Sequence, residues 1–270
     1  MQFKDQMDNK FELQKTPTRI VCLVPSLTEL LADLGLENSI VGITKFCVHP
    51  SRLRKSKTIV GGTKNVHFDK IKSLQPDIIL CNKEENTKEI VETCRDIATV
   101  HVSNIVTIQD TFNLIHQYGA IFQRKTKAND LAHKINTKLT DFRAFTKNKP
   151  TINVAYFIWK NPWMVAANGT FIHHLLSLNN FCNSYDYQKR YPEVDLNNLK
   201  HDTELLLLSS EPYPFKDKDI QGLENMYNHI KVILVDGEYF SWYGSRLLQA
   251  FDYFKELRTS LTYITNSLSR

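Results

Sequence analysis

The segment between Pro76 and Pro150 constrains the fold most, because it contains no proline and its only glycine is Gly119. Apolar residues recur in it at helical spacing, forming one stripe: Ala128, Leu131, Ala132, Ile135, Leu139 and Phe142. This spacing predicts a helix over about residues 126–147, roughly 33 Å long at 1.5 Å per residue. A helix of that length is a stiff connector, unlike the flexible Gly/Ser linker that joins independent domains.

Strand and helix patterns alternate on both sides of this connector. Short β-branched, apolar runs predict strands at residues 19–25, 40–44, 58–60, 77–81 and 99–102, and again at 151–158, 205–208 and 232–235. Helices are predicted at about 68–74 and 84–97. Such alternation is typical of the α/β class with parallel sheets. We therefore predict two lobes with mostly parallel central sheets joined by one long backbone helix: an N-terminal α/β lobe (1–106), a helical connector (107–149) and a C-terminal α/β lobe (150–270).

The first helix has both a start and a stop signal. Ser26-Leu-Thr-Glu29 directly follows the first predicted strand and has the spacing of a capping box, in which Ser26 accepts a backbone hydrogen bond and Glu29 reaches back. Gly35 is expected to end the helix in a left-handed conformation.

The charge balance argues against nucleic acid as a partner. Lys and Arg number 34 against 29 Asp and Glu, a net charge of +5, and the two signs are interspersed. No apolar run approaches the roughly 18 residues of a membrane span, so we expect no membrane insertion.

The cysteines and the first residues bear on the compartment. The five cysteines form no CxxC pair, and an odd, unpatterned set suits a reducing environment. Residues 1–19 are polar and lack the apolar core and cleavage site of a secretory signal. The sequence as written therefore predicts a cytoplasmic protein with reduced thiols. A periplasmic or lipid-anchored protein is the alternative if an upstream signal has been removed.

Three aromatic-rich segments follow predicted strands in the second half, at residues 156–164, 208–215 and 236–246. Their prolines preset the backbone, their rings offer flat faces, and Glu and Arg orient a ligand through hydrogen bonds. This combination suits a ligand with a broad flat or mixed polar body. The candidate residues are Trp159, Trp163, Glu211, Tyr213, Glu238, Trp242, Tyr243 and Arg246. We expect the last six of these to form the second-lobe wall of a ligand cleft, and an internal Glu–Arg ion pair is the alternative interpretation.

Polar residues also follow the strands of the first half. His49, Lys64 and Glu84 lie where parallel sheets present their carboxyl ends to ligands, and we expect them to form the first-lobe wall. Residues 77–84 and 204–211 share one pattern: an acidic residue, four apolar residues, two polar residues and Glu. The chain contains no GxGxxG, GxxxxGK[ST], GxSxG or HExxH motif, so no standard catalytic or nucleotide-binding sequence is present.

Several of these segments together resemble a known superfamily. They are the strand followed by Pro-Ser-Leu-Thr-Glu at 19–31, then Gly-Leu at 35–36, residues 40–44, Val-Gly-Gly at 60–62, and the run through Leu-Gln-Pro-Asp to residue 80. The chain resembles the helical-backbone metal-receptor superfamily, the class III periplasmic-type substrate-binding proteins for cobalamin, haem and siderophores in ABC importers. The cobalamin-binding type is the most similar.

The resemblance implies two lobes on one backbone helix, with a metal chelate held between them. The ligand would be a corrinoid, haem or a ferric siderophore, with no intrinsic cofactor. Contacts would come from loops at 25–26, 46–50, 61–65, 82–86, 159–163, 209–215 and 238–246, which adds Pro25, Ser26 and Asn65 to the candidates. Asp69 lies where a carboxylate of the first lobe would dock onto an ABC permease.

Two other functions compete with chelate binding. The first is direct binding of a divalent metal such as zinc or manganese, with His49, Glu84, Glu211 and Glu238 as possible ligands. The second is a cytoplasmic enzyme that has reused the fold, in which two carboxylates facing each other perform acid–base chemistry. The absence of catalytic motifs favours a binding protein, and we predict that the chain is not an enzyme.

Overall fold

A computed structural model describes residues 1–268 of the chain, with side chains described through Leu261. The chain divides into two compact units. Unit 1 consists of Met1–Ile105, Gln109–Ile135 and Tyr243–Arg246, and unit 2 of Val106–Ile108, Asn136–Trp242 and the chain from Leu247 onward. This division assigns the helical middle partly to each unit. The three-part division at residues 106 and 149 stays a prediction.

The described residues form strands and helices in alternation. The strands are β1 (Gln2–Lys4), β2 (Lys10–Glu12), β3 (Ile20–Cys22), β4 (Ile40–Ile43), β5 (Thr58–Ile59), β6 (Ile78–Asn82), β7 (Thr99–Ser103), β8 (Ile152–Trp159), β9 (Met164–Val165), β10 (Phe181–Asn183), β11 (Leu205–Ser209) and β12 (Lys231–Val235). The α-helices are α1 (Pro25–Asp33), α2 (Leu53–Ser56), α3 (Phe68–Ser73), α4 (Lys88–Arg95), α5 (Ile108–Ile121), α6 (Lys125–Thr146), α7 (Phe171–Leu178), α8 (Asp217–Met226), α9 (Gly237–Ser241) and α10 (Leu247–Leu268).

Each unit is built on a sheet of parallel strands. In unit 1 the order is β5-β4-β3-β6-β7, and all four pairings are parallel. In unit 2 the order is β10-β8-β11-β12, also parallel, with the short β9 antiparallel to β8. The central strands β3, β6 and β11 are buried along their whole length, as strands covered on both faces must be. The predicted fold class is therefore confirmed.

The first helix begins two residues earlier than its predicted capping box allows, since its N-cap is Val24 and not Ser26. Pro25 occupies the first turn of α1, where a backbone N–H would have no partner within the helix, so its absence costs nothing. The N-cap residue is Val24, whose apolar side chain cannot form a capping hydrogen bond. Ser26 lies inside the helix, so the capping box is wrong. Gly35 follows the helix at φ +76°, and its predicted role as the left-handed stop is confirmed.

The predicted connector helix matches α6 to within one residue at each end. Its predicted apolar stripe is buried: Ala128, Leu131, Ala132, Ile135, Leu139 and Phe142. A second helix, α5, precedes it, and the two are separated at Gln123, whose φ of +53° is incompatible with a continuous helix. The polar sequence around this break carries no proline or glycine, which is why the sequence gives no signal for it.

The first thirteen residues form a β-hairpin for which no strand was predicted. Strands β1 and β2 pair antiparallel, with Phe3 opposite Phe11 and their rings stacked at 5.7 Å. The buried carboxylate of Asp5 accepts backbone hydrogen bonds within the hairpin from Met7 and Asn9, at 2.8 and 2.9 Å. It also accepts one from Val102 in β7, at 3.1 Å, which attaches the hairpin to the edge of the unit 1 sheet.

Among the helices of the described residues, none combines the length and the apolar character that crossing a membrane requires.

Candidate ligand-binding site

In unit 1, the turn after β6 is fixed by two asparagine side chains. Asn82 Oδ1 accepts the backbone N–H of Glu84 at 2.8 Å, and Asn86 Oδ1 accepts the backbone N–H of Asn82 at 2.9 Å. Thr87 is the N-cap of α4 and accepts from the backbone of Ile90. The helix therefore begins at Lys88 rather than at residue 84 as predicted, and Glu84 belongs to a rigid turn.

A second turn, after β5, lies beside the first. Gly61 has φ +121°, and a Cβ there would come within 2.5 Å of the carbonyl oxygen of Asn65, so only glycine fits. Asn86 Nδ2 donates to the carbonyl oxygen of Thr63 at 2.9 Å, and the Lys64 ammonium donates to the backbone oxygen of Glu84. The structure thus brings the predicted residues Lys64 and Glu84 together, and it leaves Asn65 exposed beside them.

Glu85 follows Glu84 in this turn, and its carboxyl has a raised pKa. Burial raises the pKa of Glu85; the nearby Lys64 charge lowers it, the Glu84 charge raises it, and a hydrogen bond from the Thr63 hydroxyl lowers it. The net direction is upward. The sequence signal for this turn is its pair of asparagines, Asn82 and Asn86, whose side chains accept backbone hydrogen bonds within it.

Tyr243 and Arg246 lie in unit 1, not in the second-lobe wall predicted for them. Arg246 Nη2 and Nε contact the two carboxylate oxygens of Glu29 at 2.7 and 3.0 Å, and both side chains are nearly buried. The internal ion pair was the alternative interpretation, but its carboxylate comes from α1. This ion pair could not be predicted from local sequence patterns, because its two residues are 217 positions apart in the chain.

The Tyr243 phenol lies at the carboxyl end of the unit 1 sheet. Burial raises its pKa strongly, and hydrogen bonds with the side chains of Ser103 and Ser26 lower it in part. The predicted residues Pro25 and Ser26 are buried here in the first turn of α1. Ser26 therefore supports the tyrosine rather than presenting its hydroxyl to solvent.

The remaining unit 1 candidates are dispersed. His49 is half-buried in the segment after β4, and Asp69 is exposed in the first turn of α3. Among the residues that the structure describes, no group of three or more His, Cys, Asp or Glu side chains is placed to hold a metal ion. The predicted metal-ligand set of His49, Glu84, Glu211 and Glu238 therefore does not assemble into a metal site.

In unit 2, the loop after β8 carries an aromatic cluster. Trp159 packs edge-on against Tyr213 at 5.6 Å, Tyr213 contacts Phe215 at 4.7 Å, and Trp163 stacks on Phe215 at 5.8 Å. Trp159 nevertheless keeps 40 % of its surface exposed. The predicted residues Trp159, Trp163 and Tyr213 therefore form one contiguous surface, which we call the aromatic platform (Trp159, Trp163, Tyr213 and Phe215).

The aromatic platform is fixed from behind by an ion pair. Lys160 Nζ lies 2.6 Å from Asp219 Oδ1 and 5.3 Å from the centre of the Trp163 ring. Burial by itself would raise the pKa of Asp219, but hydrogen bonds from Lys160 and from the backbone of Lys216 bring it below its usual value. The loop between Trp159 and Trp163 is thus pinned to α8, so the exposed indole is preorganised.

Glu211 organises the rest of the unit 2 site. Its Oε1 accepts hydrogen bonds from Trp242 Nε1 and Ser241 Oγ, both at 2.9 Å. A Cβ on Gly237 would come within 2.4 Å of Ser209 Oγ and 2.6 Å of Glu211 Cγ, so this glycine permits the close approach. Trp242 is buried by these contacts, whereas Glu238 lies half-buried in the first turn of α9.

Comparison with known proteins places this architecture in a family. Residues 20–226 match the family described as periplasmic binding protein, which covers well over half of the chain. The chain belongs to the periplasmic binding protein family. This confirms the superfamily resemblance, and because the family is made of substrate-binding transport proteins, the alternative of an enzyme on this fold is not supported.

Relatives with detectable sequence similarity include two binding proteins. An ABC transporter substrate-binding lipoprotein of Bacillus subtilis, itself uncharacterized, is 26 % identical over 147 residues, which are 53 % of this chain and 46 % of that protein. The chain thus spans just under half of that relative. The vitamin B12-binding protein of Vibrio cholerae is 25 % identical over 199 residues, 72 % of this chain and 70 % of that protein.

Solved structures agree on the fold of this periplasmic binding protein. A possible iron-binding, periplasmic solute-binding protein from Staphylococcus epidermidis has a TM-score of 0.77 at 21 % identity, covering 92 % of this chain and 99 % of that one. The periplasmic vitamin B12-binding protein of Vibrio cholerae has a TM-score of 0.74 at 18 % identity, covering 90 % and 98 %. The relatives are periplasmic proteins or lipoproteins, so the expectation of a cytoplasmic protein finds no support.

Proposed function

We propose that this protein is the substrate-binding component of an ABC importer and that it takes a metal chelate. A corrinoid, which has a broad flat ring, is the first candidate, and haem and a ferric siderophore are the other members of the class. The names of its relatives support this proposal, since they include a vitamin B12-binding protein and an ABC transporter lipoprotein. These relatives also support a place of action outside the cytoplasmic membrane.

The aromatic platform is the observation that carries the proposal. An indole with 40 % of its surface exposed costs free energy in water unless something covers it, and its ring is held still by Tyr213 and by the pinned loop. A flat macrocycle laid on this face gains apolar burial and ring stacking without ordering the protein. The preorganised Trp159 therefore favours a flat ligand over a small ion.

Ligand titration tests the proposal directly. We would add cyanocobalamin, haemin and ferrichrome in turn to the purified protein, following tryptophan fluorescence and confirming each complex by equilibrium dialysis. We expect saturable one-to-one binding of one of the three. Failure of all three to bind would refute the proposed ligand class, and stoichiometric zinc binding in their place would support the metal-ion alternative.

Substitution of Trp159 assigns the binding surface. Trp159→Ala should weaken binding about tenfold, because one stacked aromatic pair is worth roughly 0.5–1.5 kcal/mol beyond its buried area. Trp159→Phe keeps a flat ring and should retain most of the affinity. Tyr187→Ala removes an exposed ring of unit 2 outside the aromatic platform, so it is the matched control and should stay within about twofold of the unmodified protein. Equal binding by Trp159→Ala would place the ligand elsewhere.

Asp69 is proposed as a contact to the permease. Its carboxylate is exposed in the first turn of α3, as a contact with an arginine of a partner requires. Asp69→Lys should leave ligand affinity unchanged and reduce cellular uptake of labelled ligand several-fold. Asp130→Lys, an exposed charge reversal on α6, should transport normally. Equal uptake by both variants would exclude Asp69 from the docking surface.

A further inference from the structure

The aromatic platform is built from two separate loops. Trp159 and Trp163 belong to the loop after β8, whereas Tyr213 and Phe215 belong to the loop between β11 and α8. The ring contacts cross from one loop to the other, since Trp159 packs on Tyr213 and Trp163 stacks on Phe215. The surface that the platform offers therefore depends on how the two loops are held together.

Asp219, in the first turn of α8, is bonded to both loops, one through each oxygen of its carboxylate. Its Oδ1 accepts from the Lys160 ammonium, in the first loop, at 2.6 Å. Its Oδ2 accepts the backbone N–H of Lys216, which directly follows Phe215 at the end of the second loop, at 3.0 Å. One side chain thus fixes both halves of the aromatic platform from the same point.

The ion pair of Lys160 and Asp219 is largely shielded from water. The Asp219 side chain is 1 % exposed and that of Lys160 is 29 % exposed. Salt screens such a pair much less than a surface pair, so the link between the loops persists at ordinary ionic strength. The Lys160 ammonium also lies 5.3 Å from the centre of the Trp163 ring, and this cation–π contact adds to the same link.

We propose that Lys160 and Asp219 are positioning residues of the ligand site, whose ion pair holds Trp159 in its binding position against Tyr213. The pair acts on the ligand through Trp159 and not through a contact of its own. This inference rests on the proposed function and assigns the residues that hold its binding surface in place. A ring already held in its bound position loses little conformational freedom when the ligand arrives, so releasing the loop lowers the affinity.

Substitutions of Lys160 provide the first test, with affinity measured for whichever of cyanocobalamin, haemin and ferrichrome binds. Lys160→Met keeps the aliphatic stem but removes the cation, and it should weaken binding about five- to tenfold. Lys160→Arg restores a cation that can bond the carboxylate and lie over the ring, so it should stay within about twofold of the unmodified protein. Lys218→Met removes an exposed cation from the same turn of α8 and is the matched control, with no change in affinity expected.

Combination with Trp159→Ala distinguishes positioning of the ring from a general structural role. If the ion pair acts through Trp159, the double variant with Lys160→Met should bind as Trp159→Ala alone does. A general structural role would lower the affinity equally in both backgrounds. In the ligand-free protein, hydrogen exchange over residues 159–163 should be faster in Lys160→Met than in Lys218→Met, because only the former releases the loop.

The outcomes separate this inference from the function on which it rests. Undiminished affinity in Lys160→Met, an equal further loss in the double variant, or unchanged hydrogen exchange over residues 159–163 overturns the positioning role and leaves chelate binding intact. Failure of all three ligands to bind the unmodified protein overturns the proposed function and this inference together. Thermal melting shows whether each variant is folded. If Lys160→Met is not, Asp219→Asn takes its place and should show the same loss, because it keeps an oxygen for the Lys216 N–H but forms no ion pair.

Discussion

Unit 1 and unit 2 both present the carboxyl ends of a parallel sheet, but their loops there have opposite chemistry. In unit 1 the turns are held by amides and hydroxyls, with Asn82 and Asn86 at the centre. In unit 2 they are held by rings, with the exposed Trp159 packed on Tyr213. The strand scaffold thus fixes where a site can form, and the loop composition decides whether it offers hydrogen bonds or flat apolar surface.

The two scaffolds are alike even in how neighbouring strands begin. Asp77, just before β6, accepts the backbone N–H of Arg19 at 2.9 Å, and Glu204, just before β11, accepts that of Asn153 at 2.8 Å. Each acidic residue thereby ties its strand to the start of the adjacent one. The repeated pattern at 77–84 and 204–211 therefore has a shared structural basis, and the two units differ in the loops at the carboxyl ends of their strands.

The largest expected effect concerns the ion pair of unit 1. Arg246→Ala would leave the Glu29 carboxylate nearly buried without its guanidinium, because the two side chains are only 6 % and 12 % exposed. Removing one partner of a buried pair costs about 3–5 kcal/mol. We expect that loss in the free energy of unfolding measured with urea.

A double variant controls for this prediction. Glu29→Leu combined with Arg246→Met replaces both charges with apolar groups of similar size and should recover most of the stability. A loss below about 1 kcal/mol in Arg246→Ala alone would mean that the pair is solvated, and that polar contacts hold unit 1 less firmly than its buried geometry implies.

A smaller loss in the free energy of unfolding is expected in unit 2, where the substitution disturbs tight packing rather than an ion pair. Gly237→Ala would force its Cβ against Ser209 and Glu211 and displace the acceptor of the Trp242 indole. Such overpacking costs about 2–3 kcal/mol. Gly222→Ala, in α8 with open space around the added methyl, should instead gain about 0.5–1 kcal/mol from helix propensity. Equal unfolding curves for the two variants would contradict the packing argument.

The smallest expected effect is on the pH dependence of stability. Burial lowers the pKa of His101 in β7 below its usual 6.5, and burial lowers that of the half-buried His173 in unit 2 as well. Below about pH 6.5, His101 binds a proton in the unfolded chain but stays neutral in the folded protein. The free energy of unfolding should therefore fall as the solution is acidified. His101→Gln should flatten this slope more than His173→Gln, because His101 is fully buried. The free energies of unfolding, measured with urea at pH 8, 6 and 5, test this prediction. A larger effect of His173→Gln than of His101→Gln would contradict it.

The scaffold could be predicted from the sequence because its signals are local. Buried strands are recognisable in the sequence as apolar runs of four or five residues. The apolar stripe from Ala128 to Phe142 predicts the ends of α6 to within one residue. The positive φ at Gly35 could also be predicted locally, because a glycine directly after an apolar helical pattern is typical of a helix end. These elements depend on periodicity, which one sequence carries in full.

The site was less predictable because its contacts are long-range. Glu29 was interpreted as part of a capping box, yet it pairs with Arg246, 217 residues away. Strand-end position did single out Trp159, Tyr213, Glu211 and Trp242 as candidates, because parallel strands gather their carboxyl ends at one edge. Which of them pair, Trp159 with Tyr213 and Glu211 with Trp242, is known only from the structure.

The hairpin of β1 and β2 has a consequence for self-association. β7 is the outer strand of its sheet, and an outer strand with open amides is a template for pairing with another molecule. Asp5 occupies the amide of Val102 with a carboxylate, and a charge at that position cannot propagate a strand ladder. The first thirteen residues thus oppose the addition of a strand from another molecule at this edge of the sheet.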